Sequence, residues 1–115
     1  MKEIIWVGDS KENLRSFPEE VKDEAGFALR EVQRGDMPDG AKPLTNLGKS
    51  ISGVLEIIVD DDGETYRVVY VAKLKKGIYV LHSFHKKSKS GISIPKKDKE
   101  LMIQRYKSAC EQDSS

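Results

Sequence analysis

Between residues 54 and 84 the chain alternates three apolar, β-branched runs with short polar turns, and this pattern limits the fold more than any other feature. Val54 to Val59 is followed by Asp60-Asp61-Asp62-Gly63, Thr65 to Ala72 by Lys75-Lys76-Gly77, and Ile78 to Phe84 completes the set. Val, Ile, Tyr and Thr in runs of this length predict strands, and brief glycine-containing turns predict antiparallel neighbours. A chain of 115 residues built around such a meander has material for one core and one domain.

The flanking segments predict helices. Ile4 to Val7 reads as a short first strand. Asp9 lies three residues before Glu12, a helix-start signal, and Phe17-Pro18 keeps that helix short. Ser16, Pro18 and Glu19 mark a second start, for a helix running to about Arg34 with Gly35 as its C-cap. Val21, Ala25, Ala28, Leu29 and Val32 share one face of it, suited to packing on a sheet. Residues 35 to 50 are rich in Gly, Pro and Asp and show no period; Leu44 and Leu47 are their expected anchors. Asp98 to Cys110 reads as a closing helix. The expectation is an α+β domain over residues 1–111, in the order β-α-α-β-β-β-α, with a frayed tail over 112–115. Its sheet is curved and largely antiparallel, with the two N-terminal helices on one face and a C-terminal helix.

Charge is divided along the chain. Residues 1 to 72 carry 9 Lys/Arg against 15 Asp/Glu, whereas residues 73 to 107 carry 11 against 2. The formal net charge of +1 therefore conceals a local basic region. Two readings of it are open, a solvated lysine-rich surface and a polyanion site. Several classes are excluded. No run of eighteen apolar residues offers a membrane span. The N-terminus lacks a signal-peptide apolar region, and a single Cys110 rules out an internal disulfide framework or a thiolate metal cage. The expected compartment is the cytoplasm. There is no P-loop or dinucleotide-binding glycine pattern, and Asp60-Asp61-Asp62 lacks calcium-loop spacing. Two histidines do not make a three- or four-ligand metal site, so neither cofactor nor metal is expected.

Two segments carry candidate chemistry. In Tyr66-Arg67-Val68-Val69-Tyr70, Arg67 and Val69 share one strand face and Tyr66, Val68 and Tyr70 the other. Arg67 either pairs with a carboxylate such as Glu56 or faces an anion, for which its donor fork suits phosphate. The second segment is His82-Ser83-Phe84-His85-Lys86-Lys87-Ser88-Lys89-Ser90-Gly91, followed by Pro95-Lys96-Lys97. His82 and His85 point to opposite faces within a strand, and reach a common site only if the strand ends between them. Metal-free RNA cleavage needs a group to take the 2'-hydroxyl proton, cations for the phosphorane and a donor for the leaving 5'-oxygen. Histidine suits the proton transfers near neutral pH, and Arg and Lys suit the charge. A lysine whose pKa is lowered by desolvation or like charge also serves. Tyrosines and Phe84 suit stacking on bases. Non-catalytic RNA binding asks for nearly the same surface.

Taken in order, Leu44 and Leu47, Gly53-Val54-Leu55-Glu56-Ile57, Tyr66 to Tyr70, Leu81 to Lys87, Pro95-Lys96-Lys97 and the closing helix resemble the phage-derived Gp49-like proteins. These are grouped with the HigB-like toxins of the RelE/ParE superfamily. The resemblance spans roughly residues 3 to 109. It implies a RelE-like fold and the toxin of a type II toxin–antitoxin system. The implied activity is a ribosome-dependent, metal-independent mRNA endoribonuclease working by 2'-hydroxyl attack. The implied partners are a helix-turn-helix antitoxin, the ribosome and mRNA. Arg67 would contact the scissile phosphate; Lys86, Lys87 and Lys89 would hold RNA or ribosomal RNA, with Lys87 a candidate for catalysis. Lys96 and Lys97 would extend that basic surface. His82 and His85 are the implied proton carriers, and Tyr70 would orient substrate. Many relatives carry Glu-Leu-Arg or Glu-Ile-Arg at the end of the first hairpin strand, where this chain has Glu56-Ile57-Ile58. The chain also ends without the C-terminal aromatic that is catalytic in some RelE relatives. The alternatives are a ParE-like inhibitor of DNA gyrase and a non-catalytic, RNA-binding phage-regulatory module.

Overall fold

Two hairpins build the centre of the sheet. The computed structural model describes residues 1–87 and 94–115. Its elements are β1 (Ile4–Trp6), α1 (Ser10–Arg15), α2 (Glu19–Gln33), β2 (Ala41–Pro43), β3 (Val54–Asp61), β4 (Glu64–Val71), β5 (Ile78–Lys87) and α3 (Lys96–Ser114). The five strands form one open mixed sheet in the order β1-β5-β4-β3-β2. β1 runs parallel to β5 and every other pair is antiparallel. The architecture is the α+β arrangement expected from the pattern, and it is consistent with the RelE-like fold that the resemblance implies.

Asp61 pairs with Glu64, so Asp62 and Gly63 alone turn the first hairpin, both at positive φ (50° and 78°). That conformation matches the right-handed twist of the strands and favours the Asp-Gly sequence. At the other edge, a Cβ on Gly77 would lie 2.5 Å from the Glu3 carbonyl oxygen. Only glycine lets β1 approach there, where the Ile78 N–H donates to that same carbonyl at 2.8 Å.

The sheet is covered on both faces. α1 and α2 pack Leu14, Phe17, Val21, Ala25, Leu29 and Val32 against Ile57, Val59, Tyr66, Val68, Tyr70, Ile78 and Val80. α3 packs Met102, Tyr106 and Ala109 against Val54, Val69, Val71, Tyr79 and Leu81, with Leu47 joining them and Leu44 at the margin. Fully burying one such aliphatic side chain contributes about 1.5–3 kcal/mol.

Several boundaries differ from expectation. β2 lies in the segment without a period and exists because Ala41, Lys42 and Pro43 pair with Ile57, Glu56 and Leu55. β5 continues to Lys87 because β4 offers it partners as far as Glu64. α3 is longer than expected and remains helical through most of the anticipated tail. There Asp113 accepts the backbone N–H groups of Lys75 and Lys76 at 2.9 and 2.7 Å. Asp9 makes no side-chain cap, because its carboxylate is bound by Arg105 at 2.7 Å. Pro18, not Ser16, is the N-cap of α2, and the Ser16 hydroxyl donates to the Asn13 carbonyl instead. Among the described residues no helix is long and apolar enough to cross a membrane.

Candidate functional site

The site begins with strand parity. Arg67 on β4 stands opposite Ile58 on β3 and Phe84 on β5, and so shares a sheet face with Glu56, which stands opposite Val69. This is the face that α3 covers. Toward β2 that cover is incomplete, and a cleft of about 400 Å³ opens between the β2–β3 connection and the start of α3. Arg67 and Glu56 line it together with Lys42, Asn46, Ile94 and Lys99. Asn46 adopts the left-handed backbone (φ 67°), a conformation asparagine tolerates better than most residues.

At the cleft, Arg67 Nη1 donates to Glu56 Oε1 at 2.6 Å. The carboxylate reading of Arg67 is therefore met, and by the residue anticipated. The pair still faces the cleft: the side chains are 11% and 3% exposed, and Arg67 Nε has no partner among the described residues. Lys42 and Lys99 add two cations to the lining, so among the described residues three cations face one carboxylate. Such a lining attracts an anion, and a guanidinium already oriented by a carboxylate presents its remaining donors in a fixed plane.

The two histidines are not brought together. Val69 pairs with His82 but Tyr70 pairs with Val80, so Leu81 is an extra residue in a β-bulge. In an unbroken strand Val80 and His82 would share a face. The bulge leaves Val80 against α1 and α2 and turns His82 toward α3. Its carbonyls, turned out of the β4–β5 ladder, are satisfied. Val80 O accepts from Val7 N–H and the Ser10 hydroxyl, both at 3.0 Å, and Leu81 O accepts from Arg105 Nη1 at 2.8 Å. His82 is 5% exposed, lies 2.7 Å from Asp98 through Nε2 and stacks on Phe84 at 4.8 Å. Its Nδ1 is buried with no partner among the described residues. Asp98 continues the stripe of Met102, Tyr106 and Ala109, so this contact docks the first turn of α3. His85 lies on the other face, stacked on Tyr66 at 5.2 Å and 2.9 Å from Glu64.

The other sequence candidates divide similarly. Tyr70 is 1% exposed in the core beneath α1 and α2, on the face away from Arg67. Packing, not substrate orientation, accounts for it, and the expected binding role is withdrawn. Lys86 and Lys87 occupy the end of β5, in register with Thr65 and Glu64. Lys96 and Lys97 are exposed in the first turn of α3. Lys89 lies outside the described residues. Sequence reasoning missed Lys42 and Lys99. Lys42 sits in a segment without periodicity, and gave no signal. Lys99 lies three residues after Lys96, on the same helix flank, a pattern that could have flagged it.

The sequence profile of the phage-derived protein Gp49-like family matches residues 12–107. The chain belongs to that family. The Gp49-like family is associated with RelE/HigB-type toxins, which agrees with the five-stranded sheet and three helices of this member. No curated protein matches this Gp49-like chain.

Proposed function

We propose that this protein is the toxin of a type II toxin–antitoxin pair, and that it cuts mRNA on the ribosome without a metal ion. The observation that carries the reading is Arg67, oriented by the buried carboxylate of Glu56 on the floor of a cleft rimmed by Lys42 and Lys99. An RNA phosphate entering the cleft meets the free donors of Arg67. The 2'-oxygen attacks the adjacent phosphorus and its proton passes to Glu56, the base nearest to Arg67. Arg67 and the two lysines offset the charge gathering on the phosphorane. The bond from phosphorus to the 5'-oxygen then breaks, that oxygen takes a proton from a lysine of the basic segment, and a 2',3'-cyclic phosphate remains. In this scheme His82 holds α3 through Asp98, and His85 acts outside the cleft. Lys86, Lys87, Lys89, Lys96 and Lys97 hold the RNA or ribosomal backbone, and the ribosome supplies in-line orientation. An acidic segment of a helix-turn-helix antitoxin, laid over the basic surface, is the proposed restraint.

Induced expression of the wild type, Arg67→Ala and Ile58→Arg, with mRNA 5'-ends mapped across the transcriptome, tests the reading. The expected result is growth arrest with in-frame cuts, reduced about a hundredfold or more in Arg67→Ala. Ile58→Arg adds a cation directly opposite Arg67 and increases cutting. Arrest with intact message and trapped gyrase–DNA cleavage products would replace this reading with gyrase inhibition. Salt-dependent RNA binding with neither cuts nor arrest would replace it with a binding module.

A further inference from the structure

The sheet face opposite the cleft carries a second surface, of opposite sign. Glu24, Phe27, Ala28 and Glu31 recur at i, i+3, i+4 and i+7 along one flank of α2. With Pro38, Asp39 and Ile57 they enclose a groove of about 230 Å³. Phe27 at its lip is 63% exposed and nearby Met37 is 53% exposed; Met1 is the other large apolar side chain left in solvent among the described residues. The fold makes no use of Phe27, since α2 meets the sheet through Val21, Ala25, Ala28, Leu29 and Val32. A lone exposed phenylalanine is ordinary, but this one borders an apolar depression ringed by carboxylates. Glu24, Glu31 and Asp39 line the groove, and among the described residues no Lys or Arg does. The rest of α2 adds to the sign: Glu19, Glu20 and Asp23 stand against Lys22 and Arg30, and Lys22 is already engaged by Glu19 at 2.9 Å.

We propose that this groove docks a basic amphipathic segment of a partner protein. The partner's apolar side chains enter between Phe27, Ala28 and Ile57, and its Lys or Arg groups meet Glu24, Glu31 and Asp39. The i, i+3, i+4, i+7 spacing suits a helix laid along α2, and the carboxylate rim selects its charge. An occupant here leaves the Arg67 cleft open, because α2 and the cleft lie on opposite faces of the sheet. The surface is independent of any chemistry at the cleft and stands even if the protein cuts no RNA.

The test uses the full-length, isotope-labelled chain and two synthetic four-turn helical peptides. One has leucines at i, i+3, i+4 and i+7 with lysines elsewhere, and the other carries glutamates in place of the lysines. The lysine peptide is expected to shift amide signals along residues 24–31 and 38–40. Its affinity should fall with added salt, and about tenfold in Phe27→Ala and in the double variant Glu24→Gln, Glu31→Gln. The glutamate peptide should leave those signals in place. Phe27 is exposed, so its variant should keep the wild-type spectrum elsewhere, and the glutamate variant gives an independent reading of the same groove. Shifts confined to other surfaces, or wild-type affinity in both variants, would overturn the proposal. So would a self-associated protein that Phe27→Ala renders monomeric and whose groove rejects the lysine peptide, since a second copy would then be the occupant.

Discussion

Burial pushes the phenol of Tyr70 up to about 12, well above the value near 10 of an exposed tyrosine. A folded-state pKa above the unfolded one means stability that is complete below the unfolded value and is lost as pH rises through the folded one. Alkaline unfolding is therefore expected between about pH 10 and 12, and Tyr70→Phe should retain stability further into that range. Tyrosinate absorbance and circular dichroism followed together check this. If Tyr70 serves packing alone, the same variant binds and cuts RNA as the wild type does. Strand parity made its separation from Arg67 legible in the sequence, as it did the Glu56 partner. The direction of His82 was not legible, because parity fails where a residue is inserted. The bulge at Leu81 is held by contacts from Val7, Ser10 and Arg105, three residues remote in the chain.

At the scale of elements, α2 contains one position that works against it. Gly26 lies in the helix interior, and a Cβ added there meets nothing within 4 Å. Gly26→Ala should stabilise the protein by about 0.5–1 kcal/mol, through the lower backbone entropy of alanine. A shift in the urea midpoint with an unchanged denaturant slope would confirm it. The core face of the same helix was readable from its period, since all five buried positions recur at helical spacing. The caps were less so. Asp9 and Ser16 have the chemistry of caps, but Arg105 claims the one and the last turn of α1 the other. β2 was unreadable in principle: Ala-Lys-Pro has no strand preference of its own, and becomes a strand only beside β3.

Across the whole molecule, α3 is fastened along its length by three carboxylates: Asp98 at its start, Asp9 through Arg105, and Asp113 near its end. The Arg105 guanidinium holds Asp9 below the usual carboxylate range, and the Lys75 and Lys76 N–H groups do the same for Asp113. Each depressed pKa gives stability that is present above the unfolded value near 3.8 and is lost as pH falls through the folded one. Acid titration should therefore loosen α3 below about pH 4. Asp113→Asn should show a shallower acid limb than the wild type, measured as the urea midpoint at successive pH values. The acidic flank of α2 belongs to the acidic part of the chain read from the sequence, but the cationic cleft does not follow that division, because Lys42 and Arg67 lie within residues 1–72 and only Lys99 lies within 73–107. The cleft itself could not be read, because it depends on Lys42 and Lys99 meeting across a gap between elements far apart in the chain.

The pairing of Ile4, Ile5 and Trp6 with Ile78, Tyr79 and Val80 also imposes an order in time. During synthesis the first strand leaves the ribosome long before its partner exists. α1, fastened to β5 through Ser10, waits with it. The local hairpin of β3 and β4 can close early, but the edge that completes the sheet forms only after β5 has been made. Long-range closure of this kind is slow compared with hairpin formation. The nascent sheet thus stays open until β5 emerges, and β1, made before the other strands, is among the last to find its place.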